Sequence, residues 1–370
     1  MSQPRDFGFG EEQEMLKDAA RRFIEDKQPI PALRKTTAGT EDPYHGAVRE
    51  ASFDKAAWDE MVALGWTALA VPEDAGGAGM GLVTAVAVAE EVGRGAMPTP
   101  LTETLQATFL LREAGTPEAM EWLGQIAEGK AAAPALHGED GLYDTAVTFE
   151  NECLNGTAWF VQDLQKVDFL VVAARQGEHL ALCCVSLNAE GVEIHADKIV
   201  DLTRDQGRVT FTNVNAVCVA READPVLARA LPAITTLVAA DIAGACEWLM
   251  QATAEYAKVR TQFDRPIGFF QAVKHPIVNM MIMADETRSL VYSAACAYDT
   301  EPETVELSAH LAKSSASDTA VFCANRATQL HGGIGFTWEH DVQIYHKRVM
   351  HAQQLYGDGV WHREQAALHV

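Results

Sequence analysis

The apolar positions of this chain fall into three regimes. Over residues 6–26, Met15, Leu16, Ala19, Ala20 and Phe23 recur at three- and four-residue spacing, with acids and arginines between them. That spacing predicts an amphipathic helix. Gln28 to Ser52 is polar and carries Pro, Thr and Gly, which predicts a long connection. Phe53 to Leu64 reads as helix again, with Trp58, Met61 and Val62 inward. After a glycine-bearing stretch, Leu82 to Val92 predicts a helix, and Thr99 to Lys130 predicts two more with a hinge near Gly115-Thr-Pro117.

The pattern changes near Ala131. Ala146 to Glu150, Trp159 to Val161, Phe169 to Ala174, Leu180 to Ser186, Val192 to His195 and Arg208 to Val214 are short and rich in β-branched or aromatic residues. Gly, Asn and Asp turns separate them, so an all-β segment is expected. Helical spacing returns from about Pro225. One helix runs from about Ala230 to Arg260, and Arg265-Pro266-Ile267-Gly268 breaks it. A second follows from Phe269 to roughly Asp299. The fold class expected is α+β and mostly α, in three units: residues 1–130, 131–222 and 223–370.

Composition narrows the function. The chain has 370 residues, 48% of them hydrophobic, with a formal charge of −23. Such acidity argues against nucleic acid and anionic membrane surfaces. Any phosphate must then be met by a few local cations or backbone N–H groups. The seven cysteines form no C-x-x-C and none pairs with His at metal spacing. No metal is expected, and the cysteines read as small hydrophobes of a reducing compartment. No secretory h-region and no run of 18 apolar residues is evident, so a cytosolic location without a membrane span is expected.

Three stretches carry candidate chemistry. Arg260, Phe263 and Gln271 flank one helix–loop–helix corner. A guanidinium offers a fork of donors suited to phosphate oxygens; a surface Arg and a core Phe beside an ordinary turn is the plainer reading. Gly76, Gly77, Gly79 and Gly81 precede a helix, which invites phosphate binding, yet the spacing fits neither dinucleotide nor P-loop signatures. His331-Gly332-Gly333 suits either a close backbone approach to a ligand or a helix C-cap.

Taken together, these stretches resemble the acyl-CoA dehydrogenase family over nearly the whole chain. Arg260-Thr-Gln-Phe263-Asp-Arg-Pro-Ile-Gly-Phe-Phe-Gln271 is similar to its Arg-x-x-Phe-Gly…Phe-Gln signature. Gln329-Leu-His-Gly332-Gly333-Ile-Gly335 and Val71-Pro72-Glu73…Gly76-Gly77, followed by Glu90-Glu91-Val-Gly93-Arg94, stand in family order. The resemblance implies an N-terminal helical domain, a central β domain and a C-terminal four-helix bundle. It also implies FAD, an acyl-CoA substrate, an electron-transfer flavoprotein or equivalent acceptor, and a homo- or hetero-oligomer. In the implied reaction a carboxylate removes the α-proton of the thioester. The β-hydrogen leaves as hydride to flavin N5, giving a trans-2-enoyl-CoA. By the same resemblance Arg260, Phe263 and Gln271 contact FAD across a subunit interface. Gln329, Leu330, His331, Gly332 and Gly333 form a loop at the cofactor, and Trp159 packs on the flavin.

Departures from the family are specific. The loop Pro134 to Asp144 lacks the usual Ser and Thr. Phe160-Val161 replaces Ile-Thr, and Asp264 replaces the Gly after Phe263. Aligning Arg348 and Tyr356 sets Gly357 where the family carries its basic Glu. The other family location, Ala233-Ile234-Thr235-Thr236, has no acid. Asp358 is the expected base if the loop shifts by one residue; a turn-forming Asp is the alternative. The tail Leu355-Tyr-Gly-Asp358-Gly-Val-Trp-His362 resembles a bacterial subgroup acting on steroid, dicarboxylate and other bulky acyl-CoAs. Some of its members are α2β2 assemblies in which one chain lacks the base. A structural subunit completing a partner's flavin site, and a flavin oxidase or monooxygenase, are the other readings.

Overall fold

The computed structural model describes residues 6–38, 51, 53–141 and 145–369. The expected first helix is α1, Glu11–Lys27. Part of the predicted connection is instead a second helix, α2, Ile30–Ala38. Its buried Leu33 supplies an apolar anchor that the polar composition of the stretch concealed. The remainder, 39–50 and 52, lies outside the described residues. Helices α3 (Lys55–Ala63), α4 (Leu82–Arg94), α5 (Leu101–Ala114) and α6 (Pro117–Ala127) complete the first helical layer. Asp54 caps α3 by accepting from Ala56 N and Ala57 N, and Thr116 caps α6 before Pro117.

Helix α4 is buried from Leu82 to Gly93, so its amphipathic partner α1 must meet it through charge as well as packing. Lys17 of α1 pairs with Glu90, and Arg21 with Glu91 at 2.9 Å. Glu90 also receives Arg288 at 2.7 Å and the Tyr292 hydroxyl at 2.8 Å. A buried carboxylate is tolerable when so many donors meet it, and these cations hold Glu90 below the usual carboxylate range against its burial. The N-terminus of α4 accepts no external phosphate. Asp299 occupies it, receiving Leu82 N at 2.8 Å and Val83 N at 3.1 Å. A Cβ at Gly81 would lie 2.3 Å from that carboxylate, so the glycine makes room for the cap.

The middle of the chain is a mixed sheet. Its strands are β1 (Ala132–Ala135), β2 (Thr148–Glu150), β3 (Cys153–Gln162), β4 (Phe169–Gln176), β5 (His179–Ser186), β6 (Val192–Ala196), β7 (Gln206–Asn215) and β8 (Val217–Ala220). They lie in the order β6-β7-β3-β2-β4-β5-β8, with β1 parallel to β4. The sequence pattern missed β1 and β8, which are four residues each and lack alternation. The pairing of Ala132-Ala-Pro-Ala with β4 is hidden by its composition, since alanine and proline carry little strand preference.

The C-terminal layer is built on α7, Asp224–Val259, a 36-residue helix of about 54 Å at 1.5 Å per residue. It is long and apolar enough to cross a membrane, but 83% of its apolar window is buried inside the protein. Helices α8 (Gln271–Thr300), α9 (Val305–His331), α10 (Val342–Ala352) and α11 (Gly359–Ala366) pack around it. A two-residue hairpin, Thr261–Gln262 against Arg265–Pro266, carries the chain from α7 to α8. Close crossings need small residues. A Cβ at Gly93 of α4 would sit 2.0 Å from Asp241 O, and one at Gly244 of α7 would sit 1.9 Å from Glu90 O.

One buried ionic cluster joins all three layers. Arg204, beyond β6, donates to Glu103 of α5 at 2.8 Å and to Asp241 of α7 at 2.9 Å. Arg348 of α10 donates to Asp241 at 3.0 Å and to the Thr203 hydroxyl at 2.7 Å. Asp163, Lys166, Asp201 and Asp205 extend it, and every member is buried. Burial drives the Glu103 carboxyl up to about 8, with Arg204 opposing the rise.

Candidate flavin cleft

A cleft of about 600 Å³ lies between the sheet and α10. The β3 edge supplies Phe160 and Gln162, β7 supplies Gln206, and α10 supplies His346, Lys347, Met350 and His351. Gln354, Leu355 and Tyr356 close one end. The pairing of β3 with β7 slips between Ala158 and Val161, and Phe160 takes φ +55°. That irregularity exposes Phe160 to the cleft in place of its neighbour. Trp159 lies outside the lining, with the Arg208 guanidinium 5.1 Å from its ring centre.

The polar floor is fixed by hydrogen bonds. Gln162 Nε2 donates to Phe160 O at 2.9 Å and to Gln206 Oε1 at 2.8 Å; Gln162 Oε1 lies 2.8 Å from His351 Nε2. Gln206 in turn donates to Asp197 at 3.2 Å. Because Gln162 Oε1 can only accept, His351 carries its proton on Nε2. Burial holds His351 below the usual histidine range and pushes His137 down to about 4. Both are therefore neutral, and Lys347 is the cation of the lining. Among the described residues no carboxylate lines the cleft. Gly141 belongs to the lining, while Leu142–Asp144 fall outside the described residues.

The turn after α10 positions the closing wall. Tyr356 has φ +59° and Gly357 φ +108°. The Tyr356 hydroxyl donates to Gln106 Oε1 at 2.9 Å, and its ring lies 5.1 Å from that of His137. A Cβ at Gly357 would meet the Trp361 ring at 2.5 Å. Asp358 does not line the cleft. Its carboxylate is the N-cap of α11, accepting from Trp361 N at 2.8 Å.

The two remaining motifs meet at one end of the bundle. Tyr256, one turn before Arg260, stacks on His331 with ring centres 4.3 Å apart. Arg260 ends α7, and its carbonyl receives Ile267 N at 2.8 Å. Phe263 is 85% exposed, at φ +55°, and Gln271 opens α8 on the surface beside it. Gln329 is exposed and Leu330 half-buried at the end of α9. Gly332 caps that helix at φ +64°, with open space around it and around Gly333. The C-cap is therefore realised, and the space beside Gly332 and Gly333 is open. His331 is buried and donates from Nδ1 to Ala327 O at 2.8 Å, which leaves its buried Nε2 an acceptor with no donor. His346 bridges this end to the cleft, with Nδ1 3.0 Å from Thr328 Oγ1 on α9. Val259, Phe269 and Phe336 are exposed at the same end, an apolar surface larger than a single stray side chain.

Sequence reasoning marked Phe160 only as a departure from the family and did not find Gln162, Gln206 or His351. Positive φ at Phe160 and the slip in β3 leave no mark in the residue pattern. The one available signal was His351, three residues after Arg348.

The chain matches the family model described as acyl-CoA dehydrogenase, N-terminal domain over residues 10–130, and the C-terminal domain model over 226–370. It is 33% identical over 331 residues to the acyl-CoA dehydrogenase IpdE2 of Mycobacterium tuberculosis, covering 87% of this chain and 91% of that one. Among solved structures, the Tcur3481–Tcur3483 steroid ACAD superposes with a TM-score of 0.86 at 27% identity, covering 98% of each chain. The ChsE4–ChsE5 complex from Mycobacterium tuberculosis gives the same TM-score and coverage at 23% identity, a likeness of fold. Helical, β and helical layers, three motifs in order and both family models agree: the chain belongs to the acyl-CoA dehydrogenase family.

Proposed function

We propose that this chain takes part in FAD-dependent α,β-dehydrogenation of an acyl-CoA thioester, with the flavin ring in the cleft between the sheet and α10. The observation that carries the reading is the cleft itself. It pairs flat apolar walls, Phe160 and Tyr356, with a fixed floor of amides and a single cation, Lys347. A planar heteroaromatic with a polar edge matches that set. FAD, when bound, supplies the hydride acceptor that no side chain provides. The protein's part is to hold the ring, exclude water, and direct fixed donors at the reacting group.

Arg260, Phe263 and Gln271 serve the dinucleotide end, together with the open glycines Gly332 and Gly333. Their exposure, beside the apolar surface of Val259, Phe269 and Phe336, supports a site completed by another subunit. The substrate class proposed is a bulky acyl-CoA, steroid-derived thioesters included, because a steroid ACAD and IpdE2 are among the similar proteins. An electron-transfer flavoprotein or equivalent is the proposed acceptor, and the cytoplasm the proposed location.

A second reading has its own support: the chain is a base-lacking subunit that completes the flavin site of a related partner. Gly357 is built around Trp361, Asp358 is engaged as a helix cap, and no carboxylate faces the cleft among the described residues. One experiment separates the two. The protein is expressed alone and with a neighbouring homologue, and visible spectra are followed as butyryl-CoA or a steroid side-chain acyl-CoA is added. Flavin bound and bleached in the chain alone establishes the first reading. Bleaching only in the co-expressed complex establishes the second. A chain that holds no flavin in either form overturns both. Asp358→Asn sharpens the result, since Asn caps a helix as well as Asp. If Asp358 is the base, turnover is abolished while the protein still folds and holds flavin; retained turnover places the base elsewhere.

A further inference from the structure

Helix α9 turns three buried polar side chains, Lys313, Ser314 and Ser317, toward the strained turn between α10 and α11. Lys313 is wholly buried. Its Nζ donates to Gly357 O at 2.8 Å, Gln353 O at 3.0 Å and Ser317 Oγ at 3.1 Å. Three acceptors match the three N–H bonds of an ammonium; a neutral amine has two. Ser317 donates onward to Gln353 O at 3.2 Å, and Ser314 to Gly359 O at 3.1 Å.

The charges around the ammonium are few. Asp358 faces it from the turn and His362 from α11. His310 of α9 lies beyond, Nδ1 to Nδ1 with His362 at 2.8 Å. Asp318 is tied to Arg363 at 2.6 Å. Burial pulls Lys313 down to about 7, with Asp358 opposing the fall. A buried ammonium costs several kcal/mol of desolvation, which an apolar side chain of that length would avoid. What the ammonium adds is direction: it fixes the backbone carbonyls on either side of Tyr356, where φ is positive at two successive residues.

We propose that Lys313 is a positioning residue that holds the Gln353–Asp358 turn in its strained form, so that Tyr356 walls the flavin cleft and Asp358 stays in the cap of α11. The part concerning the cleft rests on the flavin reading above; the anchoring of the turn does not.

Hydrogen–deuterium exchange on the FAD-loaded protein, with its partner chain where one co-purifies, tests the anchor directly. In Lys313→Met, peptides over 353–361 should exchange at least tenfold faster, with α7 and α8 at wild-type rates. The flavin absorption envelope should change as Tyr356 is released, and Lys313→Gln, which keeps two donors, should recover part of both. Wild-type exchange over 353–361, or equal acceleration throughout the chain, overturns the proposal. If Lys313→Met gives no folded protein, a pH series on the wild type decides. Protection over 353–361, corrected for intrinsic exchange, should fall between pH 6 and 9 as one N–H is lost; pH-independent protection overturns the anchor. Exchange of the turn reads the anchor whether or not flavin is bound, so failure of the flavin reading registers separately as a colourless protein.

Discussion

Gly357 shows how one residue sets the chemistry of a site by geometry alone. At φ +108°, with Trp361 where a Cβ would go, it resists exchange for the glutamate that the resemblance sets at this position. Gly357→Glu is expected to lower stability by about 2–4 kcal/mol, combining backbone strain with overpacking. Thermal melting should show the loss, and acyl-CoA turnover should not rise. At the exposed corner, Arg260→Ala is expected to weaken FAD retention roughly tenfold or more through loss of a charge-assisted contact; equilibrium dialysis or flavin release on gel filtration measures it. The motif residues here were legible because their chemistry is local: Arg, Phe and Gln at a Pro-Gly break, His before two glycines. The cleft residues were not. Phe160 reaches the cleft through a slip in strand pairing, and Gln162 acquires meaning only from His351, 189 residues away.

At the scale of elements, periodicity located α1, α3 through α8 and the longer strands, because each buries one face or both. It failed for α2, whose apolar anchor is set among polar neighbours, and for β1 and β8, which are too short to alternate. The glycines of α4 and α7 explain themselves only in pairs. Gly93 and Gly244 let two helix backbones touch where any side chain would hold them apart. Gly244→Ala is therefore expected to cost about 1–3 kcal/mol by overpacking, although alanine is the better helix former. Chemical denaturation should show the midpoint falling; an unchanged or raised midpoint would mean that the crossing has slack. The same reasoning gives Glu90 and Glu91 of the family motif a structural role, since they receive α1 and α8.

At the scale of the molecule, the ionic cluster decides how the three layers depend on one another. Five buried carboxylates, Glu103, Asp163, Asp201, Asp205 and Asp241, meet three cations, Lys166, Arg204 and Arg348. Burial, helped by the nearby Asp163 and opposed by Arg204, raises the Glu103 carboxyl. Its folded value of about 8 lies above the ordinary 4.5, so the folded state binds the extra proton between those limits. Stability is therefore expected to fall as pH rises from about 4.5 to about 8, and to level off above. Glu103→Gln should flatten that part of the profile, as read by melting temperature against pH. No sequence pattern announces such a cluster, because its members are spread from residue 103 to residue 348. Its consequence reaches protein engineering. A chimaera that moves only the middle sheet of this chain into a relative would carry Arg204 and Asp163 away from Glu103 of α5, Asp241 of α7 and Arg348 of α10, the side chains they are matched to here. Grafts between relatives should succeed only when residues 103, 163, 204, 241 and 348 travel as a set, which makes the three layers one unit of inheritance despite their separate architectures.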